Sequence, residues 1–157
     1  MKNDKGFSLV EIIVVLAMLV ILSSIIIINT DTTGKRALNS CVNSINNNLS
    51  DTKVSTLSGR DIELKLFMSD GNVILNKGRD DNLGKFDVTL HYEDIDGENL
   101  GSEELNSAGI TITFKSNTGE YNEVKSGKYL SKIVVSKGSI AETIICQRLT
   151  GKNYIQE

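Results

Sequence analysis

One carboxylate stands inside the most apolar stretch of the sequence. Residues 7–28 read FSLVEIIVVLAMLVILSSIIII, and Glu11 is their only charged member. A carboxylate placed in hydrocarbon costs several kcal/mol, so such a residue normally has a partner and a function. At 1.5 Å of rise per helical residue the stretch would span ~33 Å, which is enough to cross a bilayer core. The sequence therefore predicts a membrane-spanning helix over residues 7–28, in which Glu11 requires an explanation.

A secretory signal peptide is the competing interpretation of this stretch. It would have a shorter apolar region followed by a cleavage site of small residues. Here the apolar residues continue into IIIINTDTTGKR, which contains no such site. Length and apolarity around the whole circumference also disfavour a buried helix of a soluble protein. A membrane span is the interpretation that remains.

The residues around Glu11 resemble a known signal. KGFSLVEIIVVLAML is similar to the N-terminal signal of type IV pilins and type II secretion pseudopilins. In it a basic leader precedes Gly6 and Phe7, and three residues separate Phe7 from Glu11. The resemblance implies that a membrane-embedded prepilin peptidase removes residues 1–6 and methylates the new amino terminus at Phe7. It also implies that Glu11 neutralises the terminal amine of a neighbouring subunit, which satisfies two buried charges and sets subunit register. A glutamate near the headgroups of a simple anchor is the alternative.

The same resemblance implies partners and a location. The partners would be other pilin or pseudopilin subunits, the prepilin peptidase, a membrane-embedded assembly platform and membrane lipid, and no cofactor is expected. Before assembly the chain would be a single-pass protein of the cytoplasmic membrane. After assembly it would belong to a cell-surface pilus or pseudopilus.

Two cysteines lie far apart in the sequence, Cys41 on a predicted helix and Cys146 on a predicted strand. In an extracytoplasmic domain an even pair can form a disulfide. Such a bridge would close a loop of ~100 residues and stabilise the fold by roughly 4–5 kcal/mol on the chain-entropy description. The alternative is two small buried side chains that never meet.

An acidic segment offers a weak calcium candidate. Asp94 and Asp96 precede Gly97, and Glu103 follows six residues after that glycine, which partly matches the ligand spacing of an EF-hand loop. The position of the first ligand is Tyr92, which supplies no carboxylate. The sequence therefore favours a solvated acidic loop over residues 93–109 and no metal site.

Basic residues gather towards the end of the chain, where residues 110–157 carry seven basic and four acidic side chains. They could contact nucleic-acid phosphates, or they could be scattered solubilising lysines. The candidates for DNA contact are Lys128, Lys132, Lys137, Arg148 and Lys152, with Lys115 and Lys125 nearby. The net charge of −3 argues against non-specific nucleic-acid binding by the whole surface.

No arrangement of residues typical of an enzyme is present in the sequence. A glycine-rich phosphate loop, a Ser/His/Asp array, a CxxC motif and a His/Cys metal cluster are all missing. The single histidine, His91, lies on a predicted strand and is expected to be structural. We therefore predict a protein without catalytic function.

The periodicity of apolar residues predicts the elements that position these groups. Spacings of three and four residues predict that the helix continues to Ser58 before Gly59. Its apolar stripe comprises Leu38, Val42, Ile45, Leu49, Thr52 and Thr56. After Gly59 the period becomes two, and strands are predicted around Ile62–Met68, Val73–Leu75, 85–92, 110–114, 130–136, 141–149 and 153–156.

The predicted architecture is α+β and pilin-like, with one long N-terminal helix packed against an antiparallel sheet. Its parts are a leader at 1–6, a transmembrane segment at 7–28, an amphipathic continuation at 29–58 and a globular head domain at 59–157. Residues 110–157 are similar in rhythm to H-type minor pseudopilins and T-type minor pilins. Because the chain also lacks proline, unlike common major pilins, we predict a minor structural subunit. The alternative is a minor pilin whose basic C-terminal region binds DNA or a surface.

Overall fold

A computed structural model describes the backbone of residues 9–156 and the side chains of residues 9–20 and 33–156. The predicted leader, Gly6 and Phe7 lie outside these residues. The chain forms two compact units, Met1–Arg36 and Ala37–Glu157. We refer to them as the N-terminal unit and the sheet unit, and each is described by itself.

One helix, α1, spans Leu9–Leu57, which agrees with the predicted helix over 7–58. Two residues after the helix, Gly59 has a left-handed backbone conformation, with φ of 81°. The Gly59 amide donates to the Thr56 carbonyl at 3.0 Å, and the Arg60 amide donates to the Ser55 carbonyl at 3.1 Å. These bonds satisfy carbonyls that a helix end leaves free, as expected of a glycine at this position.

In the N-terminal unit the apolar side chains of residues 9–20 are solvent-exposed. Leu9 is 74% exposed and Met18 is 59% exposed. Within the residues that the structure describes, no helical stretch combines the length and apolarity needed to cross a membrane. Residues 7 and 8 and the side chains of residues 21–28 lie outside the described set, so the predicted span over 7–28 stays a prediction.

The sheet unit contains two antiparallel sheets. Sheet one has the order β3-β2-β1-β6, and sheet two has the order β5-β4-β7-β8-β9. The strands of sheet one are β1 (Leu64–Ser69), β2 (Asn72–Asn76), β3 (Asp80–Gly84) and β6 (Ile110–Ile112). The strands of sheet two are β4 (Asp87–Glu93), β5 (Asn99–Glu104), β7 (Tyr129–Lys137), β8 (Ile140–Gln147) and β9 (Lys152–Gln156).

The core of the sheet unit lies between α1 and the two sheets. All six residues of the predicted apolar stripe are buried, from Leu38 to Thr56. The four aliphatic ones, Leu38, Val42, Ile45 and Leu49, pack in one cluster with alternate residues of the strands, such as Leu64 and Leu66 of β1 and Ile133 and Val135 of β7. Alternation places one face of each strand in the core, as a period of two requires. The predicted α+β fold is confirmed.

The outer part of α1 is a helix of weak intrinsic preference. Asparagine, serine and threonine dominate its sequence, and these residues compete with helix by bonding to nearby backbone. Six of them donate to the carbonyl four residues earlier: Asn43, Asn48, Ser50, Thr52, Thr56 and Ser58. Burial of the apolar stripe therefore stabilises this part of the helix more than local propensity does.

Two strands differ from the prediction. The segment 93–109 was predicted to be a loop, but Asn99–Glu104 forms β5 and pairs with β4, and Asp80–Gly84 forms the unpredicted β3. Both strands lie at sheet edges and contain no fully buried residue, and β5 is exposed at five of its six positions. Because neither buries a whole face, neither shows the apolar alternation that identifies a strand in sequence.

Side-chain hydrogen bonds connect β9 and the turn before it to α1. The Asn153 side-chain amide donates to the Asn46 carbonyl at 2.8 Å, and Lys53 Nζ donates to the Thr150 carbonyl at 2.6 Å. Gly151, with φ of 57°, lies so close to the loop at Gly119 that a Cβ there would be 1.7 Å from the Gly119 carbonyl oxygen. This junction joins α1, the 115–121 loop and the β8–β9 turn.

Candidate functional sites

Glu11 lies in the first turn of α1 as described, and its side chain is exposed. Its neighbours Val10 and Ile12 are 67% and 51% exposed. No ion pair among the described residues involves Glu11. Within the described side chains of residues 9–20, Glu11 is thus one carboxylate on an apolar helix surface.

The weak calcium candidates do not come together. Asp94 Oδ1 accepts hydrogen bonds from the amides of Asp96 at 2.9 Å and Glu98 at 2.8 Å, so this carboxylate caps a turn. Among the described residues, no three acidic, histidine or cysteine side chains are arranged to hold a metal ion. The weak calcium candidate of Asp94, Asp96 and Glu103 stays a prediction, and in this structure the Asp94 and Glu103 carboxylates take part in separate hydrogen bonds.

Glu103 instead belongs to a network on sheet two. It accepts a hydrogen bond from the buried Tyr92 hydroxyl at 2.6 Å and forms an ion pair with Lys125. Hydrogen bonds from Lys125 and Tyr92 lower the pKa of the Glu103 carboxyl. Lys125 and Lys128 also lie over the Tyr92 ring, with Nζ 5.7 Å and 5.6 Å from its centroid. The network attaches the loop before β7 to β4 and β5, and sequence spacing gave no sign of it.

Arg148 is half-buried, and its guanidinium contacts other residues of the sheet unit. Its Nη2 donates to the Ile95 carbonyl at 2.6 Å, and its guanidinium carbon lies 5.0 Å from the Tyr129 ring centroid. Its Nε lies 3.9 Å from Glu93 Oε1, and burial raises the pKa of the Glu93 carboxyl while Arg148 opposes that rise. This arginine joins the 94–98 turn to β8, which explains its place in the sequence without nucleic acid.

The other candidates for DNA contact are lysines of sheet two. Lys132 is exposed on β7, and Lys128, Lys137 and Lys152 each lie over an aromatic ring of the sheet unit, with Nζ 5.6, 5.2 and 6.0 Å from the centroid. Lys115 pairs with Glu120 at 2.6 Å. These contacts lie within the sheet unit. None of them indicates that the lysines bind nucleic-acid phosphates in preference to solvent.

The comparisons with known proteins concern the N-terminal unit. One protein-family model, described as the prokaryotic N-terminal methylation motif, matches residues 1–27. The chain carries a prepilin-type signal. The match includes Gly6, Phe7 and Glu11, the residues on which the sequence resemblance was based. No curated protein and no solved structure gives a significant match.

Glu11 lies within the prepilin-type signal. Signals of this kind support a type IV pilin-like or pseudopilin subunit, and in general they imply interaction with other such subunits and with a prepilin peptidase. Membrane and pilus localisation fit the signal in the same general sense. The match ends before the sheet unit begins, so the sheet unit is characterised by its own structure.

The sequence also raised the possibility of a disulfide between Cys41 and Cys146. Cys41 and Cys146 are both free thiols in the structure, which therefore lacks the predicted disulfide, and they are 2% and 3% exposed. Both belong to the core cluster between α1 and the sheets. Burial raises the pKa of each thiol to about 12. In this structure they are small core side chains, the alternative that the sequence left open.

The thiols are expected to be unreactive in the folded chain. At pH 8 a pKa near 12 leaves roughly a thousandfold less thiolate than an ordinary cysteine has, and burial blocks access as well. Iodoacetamide followed by intact mass should therefore add no label to native protein. Denaturation without reductant should add two labels, whereas a disulfide-linked peptide pair would contradict free thiols.

Proposed function

We propose that this chain is a structural subunit, and specifically a minor one, of a type IV pilus or a type II secretion pseudopilus. The observation that carries the proposal is the prepilin-type signal at residues 1–27 with Glu11 inside it. The exposed apolar surface of residues 9–20 adds support, since a bilayer and then neighbouring helices would cover it.

The proposed mechanism begins with processing. Cleavage after Gly6 would make Phe7 the first residue, and its methylated amine would remain a cation. Residues 7–28 would hold the subunit in the cytoplasmic membrane until an assembly platform takes it up. Glu11 would then lie four residues from the new terminus, at nearly the same depth as that amine.

Assembly would depend on pairing these charges between subunits. A carboxylate and an ammonium in a low-dielectric environment are each costly alone, whereas together they compensate much of the cost. Apolar packing supplies no register of its own along a smooth helix surface. The Glu11–amine pair would therefore set the axial position of each incoming subunit.

The sheet unit would be the part exposed to the outside of the filament. Its mixed surface and its own core support this role, because it contains a buried cluster independent of residues 1–36. No contact described above favours the DNA-binding alternative over this proposal.

Processing tests the proposal directly. Intact mass of membrane-derived protein from a host with a prepilin peptidase should begin at Phe7 and include one added methyl group. Gly6→Leu should abolish the cut, because the bulky side chain occupies the position before the scissile bond. Asn3→Leu, in the same leader, should be processed normally. An uncut Met1 terminus in the wild-type protein would overturn the proposal.

A further inference from the structure

The four edge strands of the two sheets are not equally protected. An edge strand exposes unpaired N–H and C=O groups, and folded proteins usually protect it with a bulge, inward charges or shortness. β3 carries Asp80 and Asp81 beside a register shift in its pairing, and β6 has three residues. β5 contains a register shift, a left-handed Gly101 and two glutamates.

β9 has no bulge and no inward charge, and its hydrogen bonds to α1 in the described chain are made by the Asn153 side chain and not by its backbone. Its residues Lys152–Gln156 pair with β8 in unbroken register, and Lys152 at one end is its only charge. Beyond the β8–β9 pairing, no backbone-to-backbone hydrogen bond in the described chain involves residues 153–156. Tyr154, at the centre of the strand, is 40% exposed. The free edge of sheet two is therefore regular, nearly uncharged and aromatic at its centre.

We propose that β9 pairs with β9 of a second copy of this chain, antiparallel and centred on Tyr154. A twofold axis at Tyr154 would place each Lys152 opposite Gln156 of the other copy and each Asn153 opposite Ile155. The edge is thus complementary to itself, since no two like charges face each other. The two Tyr154 rings would form a cross-strand aromatic pair, which is a favourable pairing.

Other occupants suit this edge less well. The second free edge of sheet two, β5, carries a bulge that interrupts pairing. A partner strand of another protein needs no self-complementarity, yet β9 has it in both charge and length. The inference does not depend on the prepilin-type signal.

Disulfide trapping of the full chain tests the pairing. Residues opposite each other in antiparallel strands have Cα atoms about 4.5–5.5 Å apart, within the reach of a disulfide. Tyr154→Cys, purified in mild detergent and oxidised gently, should yield a covalent dimer on non-reducing gels. Ala141→Cys is the matched control, because it is exposed on β8 and lies outside the segment of β8 that pairs with β9. Native Cys41 and Cys146 are buried and should stay unlinked.

Charge changes at the ends of β9 test the register. On the Tyr154→Cys background, Gln156→Lys would place lysine opposite Lys152 twice and should lower the dimer association constant about twofold to thirtyfold. Adding Lys152→Glu should restore it by creating two opposite-charge pairs. Equal trapping of Tyr154→Cys and Ala141→Cys, insensitivity to the charge changes, or trapping of a different protein would each overturn the proposal.

Discussion

Replacing Gly151 with alanine is expected to destabilise the sheet unit by about 3 kcal/mol or more. The new Cβ would lie 1.7 Å from the Gly119 carbonyl oxygen and 3.3 Å from Lys53 Cε. Since the closest atom belongs to the backbone, the 115–121 loop or the β8–β9 turn must move. A left-handed φ adds a further cost of about 1–2 kcal/mol for a residue with a side chain.

Gly138→Ala is the matched control for this experiment. Gly138 has nearly the same φ, 62° against 57°, but no atom lies within 4 Å of its Cβ position. It should therefore show the backbone cost alone, about 1–2 kcal/mol. Thermal unfolding followed by circular dichroism would compare the two, with roughly 2–8 °C expected per kcal/mol. Equal melting temperatures would mean that the junction at Gly119 is not tightly packed.

The second large effect is expected from Glu11→Ala, which should prevent incorporation into filaments without preventing membrane residence. The substitution makes the N-terminal stretch more apolar, so insertion should be unchanged or improved. It removes the anion that would neutralise a neighbour's Phe7 amine, and an unpaired buried charge costs about 3–5 kcal/mol. Incorporation at an internal position should then fall roughly 100-fold or more.

Two further variants test whether the loss of charge at Glu11 causes the assembly defect. Glu11→Gln should share most of the defect, because an amide forms hydrogen bonds but cancels no charge. Glu63→Ala, at an exposed position before β1, should assemble normally. Quantitative blots of sheared filaments and of membranes would give the ratio of assembled to retained subunit. Normal assembly of both Glu11 variants would show that charge pairing does not set the register.

The helix and its buried stripe were predictable from the sequence. Burial on one side leaves a spacing of three and four residues, and Leu38 to Thr56 follow it without interruption. The stop at Gly59 was predictable too, since a left-handed residue is needed there and glycine adopts that conformation without strain. Each of these two features depends on residues that are close together in the sequence.

The edge strands and the polar networks were not predictable in the same way. β5 exists because β4 offers it hydrogen bonds, and its own residues carry no pattern that reports this. Arg148 was counted among the candidates for DNA contact, yet Ile95 and Tyr129 engage it. Glu103 resembled a calcium ligand by spacing, whereas Tyr92 and Lys125 bind it. Contacts between distant segments decide these cases, and one sequence does not reveal them.

The attachment of β9 to α1 has a consequence for the order of folding. Asn153 and Asn46 are 107 residues apart, and Lys53 and Thr150 are 97 apart. The outer half of α1 is synthesised first, but its asparagine-rich sequence favours helix only weakly on its own. It therefore gains a stable conformation when the late strands close over it, and such long-range closure is intrinsically slow. During that interval the nascent chain would expose the stripe from Leu38 to Thr56, and a transiently exposed apolar surface of this kind is prone to aggregation.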